Sequence, residues 1–260
     1  MKLNRFAALG AATLALILAA CGGGGGGGGI GGTGIEAGTV RMSMTDAPAC
    51  GYDEVNVTIE KVRVHKSATA AEGDSGWSEL VLSPARRVDL LTLTNGVLQE
   101  LGETQLPSGR YTQMRLVLAA NSAGNPFANS VVLSANGQEV ALDSPSAQQS
   151  GLKLNMDAEV PAGQLVDVVL DFDACKSVVK RGNSGRYNLK PVISVITLAA
   201  SAGMRIEGWV APGLPMNAVN VSAQLAGVPV KATLPDANGR FVLYPVPVGT
   251  YELVVTADAL

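Results

Sequence analysis

The chain has 260 residues, with 19 basic against 22 acidic side chains and a net charge of −3. An acidic balance without a basic stretch leaves no electrostatic footprint for nucleic acid. Only 4% of the residues are aromatic while 47% are hydrophobic, so Val, Leu and Ala must build the core of the one or two domains this length allows.

The chain opens with Lys2 and Arg5, followed by an uncharged, mostly apolar run from Leu9 to Ala20. That run is short of the roughly 20 residues needed to cross a bilayer. A basic start, a short apolar stretch and small residues before a cut site form a secretory leader. Leu18-Ala19-Ala20-Cys21 resembles the bacterial lipobox, in which the cysteine receives a diacylglyceryl thioether and becomes the mature N-terminus. The bland alternative is an ordinary cleavage site with a chance cysteine beside it. Eight glycines, Gly22 to Gly29, follow Cys21. Without Cβ atoms they cannot help bury a core, so residues 21–38 are expected to be a lipidated cysteine and a flexible tether. Its root-mean-square reach would be roughly 20–25 Å. Several acyl chains exceed the one-chain limit for stable anchoring. By resemblance to Gram-negative lipoproteins, Gly rather than Asp after the cysteine implies the outer membrane. Loss of Lys2 and Arg5 with the leader would leave 17 basic against 22 acidic residues.

Beyond the tether, segment after segment alternates with period two, the pattern of half-buried strands. Thr39 to Thr45 puts Val40, Met42 and Met44 on one face. Val55, Val57 and Ile59 alternate, then Val62 and Val64 continue out of phase, which predicts a β-bulge near Glu60-Lys61. Trp77 to Leu82 and Arg87 to Leu93 read as two strands. Thr94 to Thr104 reads as a turn with one helical turn. Pro107 and Gly109 shape a turn into a strand bearing Met114, Leu116 and Leu118. Asn136-Gly137 between two short strands is a hairpin signal. Leu152, Leu154 and Met156 alternate. So do Val166, Val168, Leu170 and Phe172, with Asp167, Asp171 and Asp173 opposite them. Residues 174–180 suggest one helical turn. Tyr187 to Val195 reads as a last strand, placed at an edge or bulged because Pro191 lacks an N–H. A β-sandwich over residues 39–198 is therefore expected, with no long amphipathic helix.

Residues 199–203 are small and featureless and read as a linker. Residues 204–260 form a second all-β pattern, near the lower size limit for independent folding. A sandwich of this size would usually hold one or two more strands, so this segment is expected to be minimal or shortened.

Several motifs carry a resemblance. "MTDAPACGYDEVNVTIEKVRVHK", "VDLLTLTNG", "LPSGRYTQMRLVL", "SGLKLN", "LDFDACKSVVKRGN" and "YNLKPVISV", in that order, resemble the bacterial lipoprotein family catalogued as domain of unknown function 4382, over about Thr39 to Thr197. The resemblance implies an exported β-sandwich of immunoglobulin-like or transthyretin-like type and carries no assigned activity. "DANGRFVLYPVPVGTYELVV" resembles carboxypeptidase regulatory-like domains, which are smaller transthyretin-like sandwiches. A link to carbohydrate binding is fold-level analogy only.

Three cysteines are present. With Cys21 lipidated, Cys50 and Cys175 remain, and an exported protein lies in an oxidising compartment where such a pair suggests a disulfide; two buried free thiols are the alternative. His65 is the single histidine, so any Ser-His-Asp or Cys-His mechanism would need it, and zinc lacks a ligand set. The acidic residues are the better candidates. Asp46 and Asp53 flank the loop that carries Cys50, and Asp171 and Asp173 flank the approach to Cys175. Clustered carboxylates could hold Ca²⁺, which takes six to eight oxygens; the plainer reading is a solvated polar face partnered by Lys153 and Lys190. Trp77, Trp209, Tyr52 and Tyr111 would stack on sugars only if exposed.

These readings converge on a lipid-anchored envelope protein that touches the membrane through its anchor. The expected role is non-enzymatic binding of a glycan, peptide or protein. A carboxylate-based glycan hydrolase and a purely structural spacer are the rivals.

Overall fold

The computed structural model describes residues 36–46, 51–144, 150–199, 203–211 and 213–257. The leader, Cys21, most of the tether, Cys50 and the middle of the 199–203 linker lie outside the described residues. Over the described residues the protein is all-β, built as a large sandwich followed by a smaller one.

The large sandwich contains β1 (Ala37–Asp46), β2 (Tyr52–His65), β3 (Ser78–Asp89), β4 (Gln99–Pro107), β5 (Gly109–Leu118), β6 (Ser130–Leu133), β7 (Glu139–Asp143), β8 (Leu152–Val160), β9 (Leu165–Phe172), β10 (Val178–Lys180), β11 (Tyr187–Leu189) and β12 (Ile193–Ala199). One sheet runs β12-β9-β1-β4, and β1 and β9 pair in parallel. The other runs β10-β11-β7-β6-β2-β5-β8, with β3 also paired to β2. Side chains of the inward period interdigitate between them. Val40, Met42, Met44, Val168, Leu170 and Phe172 come from the first sheet, and Val57, Ile59, Val62, Met114 and Leu116 from the second. Fully burying one such side chain stabilises by about 1.5–3 kcal/mol.

The phase slip in β2 is a register shift between Ile59 and Lys61 against both neighbours. The Asn136-Gly137 hairpin forms as read, with Gly137 at φ 68° and its N–H donating to the Leu133 carbonyl at 2.8 Å. Three readings are corrected. Arg87 to Leu93 is not a strand of its own: β3 runs through to Asp89, and Leu90–Leu93 is a 3₁₀ turn capped by the Asp89 carboxylate, which accepts from the Leu91 N–H. The segment Thr94 to Thr104 is a turn followed by β4 rather than a helical turn, because β4 finds an antiparallel partner in β1. Tyr187 to Val195 is two strands: β11 joins one sheet and β12 the other, with Pro191 at the crossing between them. The helical turn within 174–180 spans Ala174–Ser177.

The small sandwich holds β13 (Met204–Trp209), β14 (Val219–Leu225), β15 (Val228–Thr233), β16 (Arg240–Val246) and β17 (Glu252–Ala257). β13 pairs with β16, and the second sheet runs β15-β14-β17. Its core is Val210, Val219, Val221, Ala223, Phe241, Leu243 and Val246, separate from the large core.

Candidate functional site

The two sandwiches meet on the outer face of the β12-β9-β1-β4 sheet. Strand alternation sends Arg41, Ser43 and Thr45 of β1, and Asp167, Val169 and Asp171 of β9, away from the large core. Ser43, Thr45, Val169 and Asp171 are nevertheless buried, because the small sandwich lies over them. Val169, Ile196 and Leu198, with Leu98, form a minor apolar cluster there. A cavity of about 200 Å³ is walled by Val169, Leu198, Tyr244 and Pro245.

The polar heart of this seam is Lys231. By register it lies on the same side of β15 as the core residue Ala223 of β14. Yet its Nζ donates to Asp171 Oδ1 at 2.5 Å, with side-chain exposures of 1% and 9%. Thr45 Oγ1 is 3.5 Å from the same ammonium. Burial pushes the Asp171 carboxyl up, and the Lys231 charge draws it back down. A second polar joint lies alongside. Asn95, at φ 58°, receives a hydrogen bond on its Oδ1 from the Val242 N–H at 2.6 Å. Its own N–H donates to Thr233 Oγ1 at 2.8 Å. Gly96 follows at φ 80°, where an added Cβ would come within 2.6 Å of Val242 Cγ1. Glycine is therefore required at this close approach.

Asp46 ends β1 beside this joint. It is 1% exposed; Oδ1 accepts from the Ala174 N–H at 3.0 Å, and Oδ2 has no partner. Burial, reinforced by the nearby Asp171 carboxyl, lifts its pKa to about 9, so the native state keeps it protonated at neutral pH.

The predicted acidic residues thus part ways. Asp46, Asp171 and Asp173 are brought within electrostatic reach of one another by the parallel β1–β9 pairing. Asp53 is exposed at the start of β2 and does not join them. Asp171 is held by Lys231. Asp173 caps the 174–177 turn by accepting from the Lys176 N–H at 3.0 Å and pairs with Lys176 Nζ at 2.7 Å. Asp167 is clasped by both Nε and Nη2 of Arg41, at 2.6 and 2.9 Å. The cationic partners are therefore Arg41, Lys176 and Lys231, not Lys153 and Lys190. Among the described residues no three His, Cys, Asp or Glu side chains are grouped to hold a metal ion.

His65 sits at the end of β2 as expected, but it is engaged. Its Nδ1 accepts from the Ser67 N–H at 2.8 Å, which leaves Nε2–H to donate to the Ser75 carbonyl at 3.0 Å. Trp77 packs against His65 with ring centroids 5.0 Å apart, and the Arg63 and Arg115 guanidiniums lie 4.7 and 5.3 Å from the Trp77 ring centroid. Tyr111 is buried, with its hydroxyl donating to the Pro107 carbonyl. Tyr52 meets Tyr187 edge-on. Of the four aromatics named from the sequence, Trp209 is the exposed one, at 70%. Cys175 is disulfide-bonded.

A further concavity also belongs to the seam. A cleft of about 630 Å³ is lined by Thr94 and Asn95 of the large sandwich and by Leu214, Met216, Leu234, Pro235, Asp236 and Ala237 of the small one. It is apolar-walled with a few polar groups, the usual make-up of a ligand site. The Asp236 carboxylate serves its own turn, accepting from the Asn238 and Arg240 N–H groups. Sequence reasoning missed Lys231, Asn95 and Thr233. The available signal was a lysine at a core-facing alternation position in "VPVKATL".

The family described as domain of unknown function (DUF4382) matches residues 37–191. That is more than half of the chain, and the chain belongs to this family. No curated protein and no solved structure matches it.

Proposed function

We propose that this member of the DUF4382 family is a lipid-anchored cell-envelope protein, probing its surroundings as a non-enzymatic interaction module. The anchor rests on Leu18-Ala19-Ala20-Cys21 and the glycine run behind it. The outer membrane is the proposed membrane, on the strength of Gly22 after the cysteine. The observation that carries the binding reading is the state of the titratable side chains. The single histidine spends both ring nitrogens on its own loop. Asp171 is locked to Lys231, and Asp46 is buried and protonated. A glycosidase needs two carboxyl groups about 5–10 Å apart facing a substrate cleft, and these carboxyl groups are committed to the seam.

The ligand surface we assign is the seam cleft lined by Asn95, Leu214, Met216 and Pro235; the exposed Trp209, which does not line that cleft, is a second, separate stacking surface for a sugar ring. An envelope glycan is the proposed ligand class. The small sandwich is proposed to be of the carboxypeptidase regulatory-like type. The test is a melting curve of the full-length chain with peptidoglycan fragments, envelope oligosaccharides and Ca²⁺. A glycan at 100 times its dissociation constant adds about 2.7 kcal/mol, and Trp209→Ala should reduce that shift where the sugar stacks on this ring. Release of shortened glycan products would overturn the non-enzymatic reading, and a shift with Ca²⁺ alone would move the site to the carboxylates.

A further inference from the structure

We infer that Lys231 and Asp171 condense after folding, so that an amide bond between Lys231 Nζ and Asp171 Cγ joins the two sandwiches. The inference is independent of what the protein binds. Nζ and Oδ1 are 2.5 Å apart, and the two side chains are 1% and 9% exposed. Each is carried by a strand rather than by a loop. Asp171 lies on β9 between Thr45 of β1 and Ser194 of β12, and Lys231 lies on β15 beside Ala223 of β14. Backbone pairing restrains both, so the amine and the carboxyl stay in reach of each other. Reacting groups held in good alignment attain effective molarities of about 10⁵–10⁸ M. Thr45 fixes the nitrogen further. Its hydroxyl hydrogen goes to the Leu93 carbonyl, so Oγ1, 3.5 Å from Nζ, faces the amine as an acceptor.

The step balances without an oxidant or a second reactant. The ammonium gives one proton to the carboxylate across their hydrogen bond, which leaves a neutral amine and a carboxylic acid. Burial already pushes the Asp171 carboxyl toward its protonated form. The nitrogen lone pair adds to Cγ, a C–O bond breaks, and the hydroxyl leaves with a proton from nitrogen as one water. A concavity of about 150 Å³ bounded by Asp171, Ser194, Val230 and Lys231 adjoins the pair and receives that water. The product is a neutral amide. It removes two buried charges, whose desolvation makes a buried ion pair costly, and the exclusion of bulk water slows its hydrolysis. The link ties together residues 60 apart in the chain and, unlike the disulfide at Cys175, survives reduction. Freshly folded chain holds the pair as ions, and the amide accumulates with time.

Intact mass and tryptic mapping of the full-length chain, purified in detergent and held folded for days, decide it. The expected result is a chain lighter by one water, with a branched peptide in which Lys231 is joined to Asp171 and cleavage after Lys231 is lost. Lys231→Arg keeps the positive charge but should lose no water, since a guanidinium does not deprotonate in a protein. Asp171→Asn should release one ammonia in place of the water and give the same branch point. A parent chain that yields no branched peptide after that time would overturn the inference. So would a loss of water that maps to any other pair of residues.

Discussion

Lys231 Nζ and Asp171 Oδ1 are 2.5 Å apart in a joint almost closed to solvent, one from each sandwich. Removing one member of a buried pair strands the other, at a cost of about 3–5 kcal/mol, whereas replacing both with apolar groups is often neutral. Lys231→Met should lower unfolding stability in urea by that amount. Lys231→Met with Asp171→Leu should recover most of it. Equal losses in the single and the double variant would show that the pair does not join the two sandwiches.

Asp46 gives a pH dependence of definite sign. Its pKa rises from 3.8 to about 9 on folding, so the native state binds this proton more tightly than the unfolded chain. The stabilisation is complete below pH 4 and is lost as pH rises toward 9. Asp46→Asn keeps the acceptor for the Ala174 N–H and cannot ionise. Its stability should be flatter than that of the parent chain between those limits, with the largest advantage on the alkaline side. Parallel stability curves for the two proteins would contradict a protonated Asp46.

Much of this architecture is legible from alternation alone. The inward rows of β1, β5, β8 and β9, the slip in β2 and the Asn136-Gly137 hairpin follow from a period of two and from turn chemistry. The 3₁₀ turn at Leu90–Leu93 is less legible, because "VDLLTL" offers apolar residues to either period and a tertiary contact decides: Thr45 Oγ1 donates to the Leu93 carbonyl at 3.0 Å. The crossing at Pro191 was visible as a missing donor but not as a change of sheet. The seam was hidden because its parts lie far apart, with Thr45, Asn95, Asp171 and Lys231 spread over 186 residues between Thr45 and Lys231. Only the pairing of β1 with β9 and the return of β15 bring them together.

The covalent frame adds a further expectation. Cys175 is disulfide-bonded, and Cys50 is its predicted partner. Closing a loop of about 125 residues contributes about 4–5 kcal/mol in the chain-entropy account. Non-reducing peptide mapping should recover a Cys50–Cys175 link, and Cys50→Ser should lower stability by that order. A link from Cys175 to Cys21 would refute both the pairing and the lipidation of Cys21.

The most direct measurement on the proposed function follows acylation of Cys21. Cells expressing the full-length chain are labelled with a palmitate analogue and fractionated. The parent chain should carry the label and sediment with membranes, while Cys21→Ser should lose the label and either remain unprocessed or leave the membrane fraction. An unlabelled parent chain, or a Cys21→Ser variant that still carries the label and partitions like the parent, would contradict a lipid-anchored envelope module.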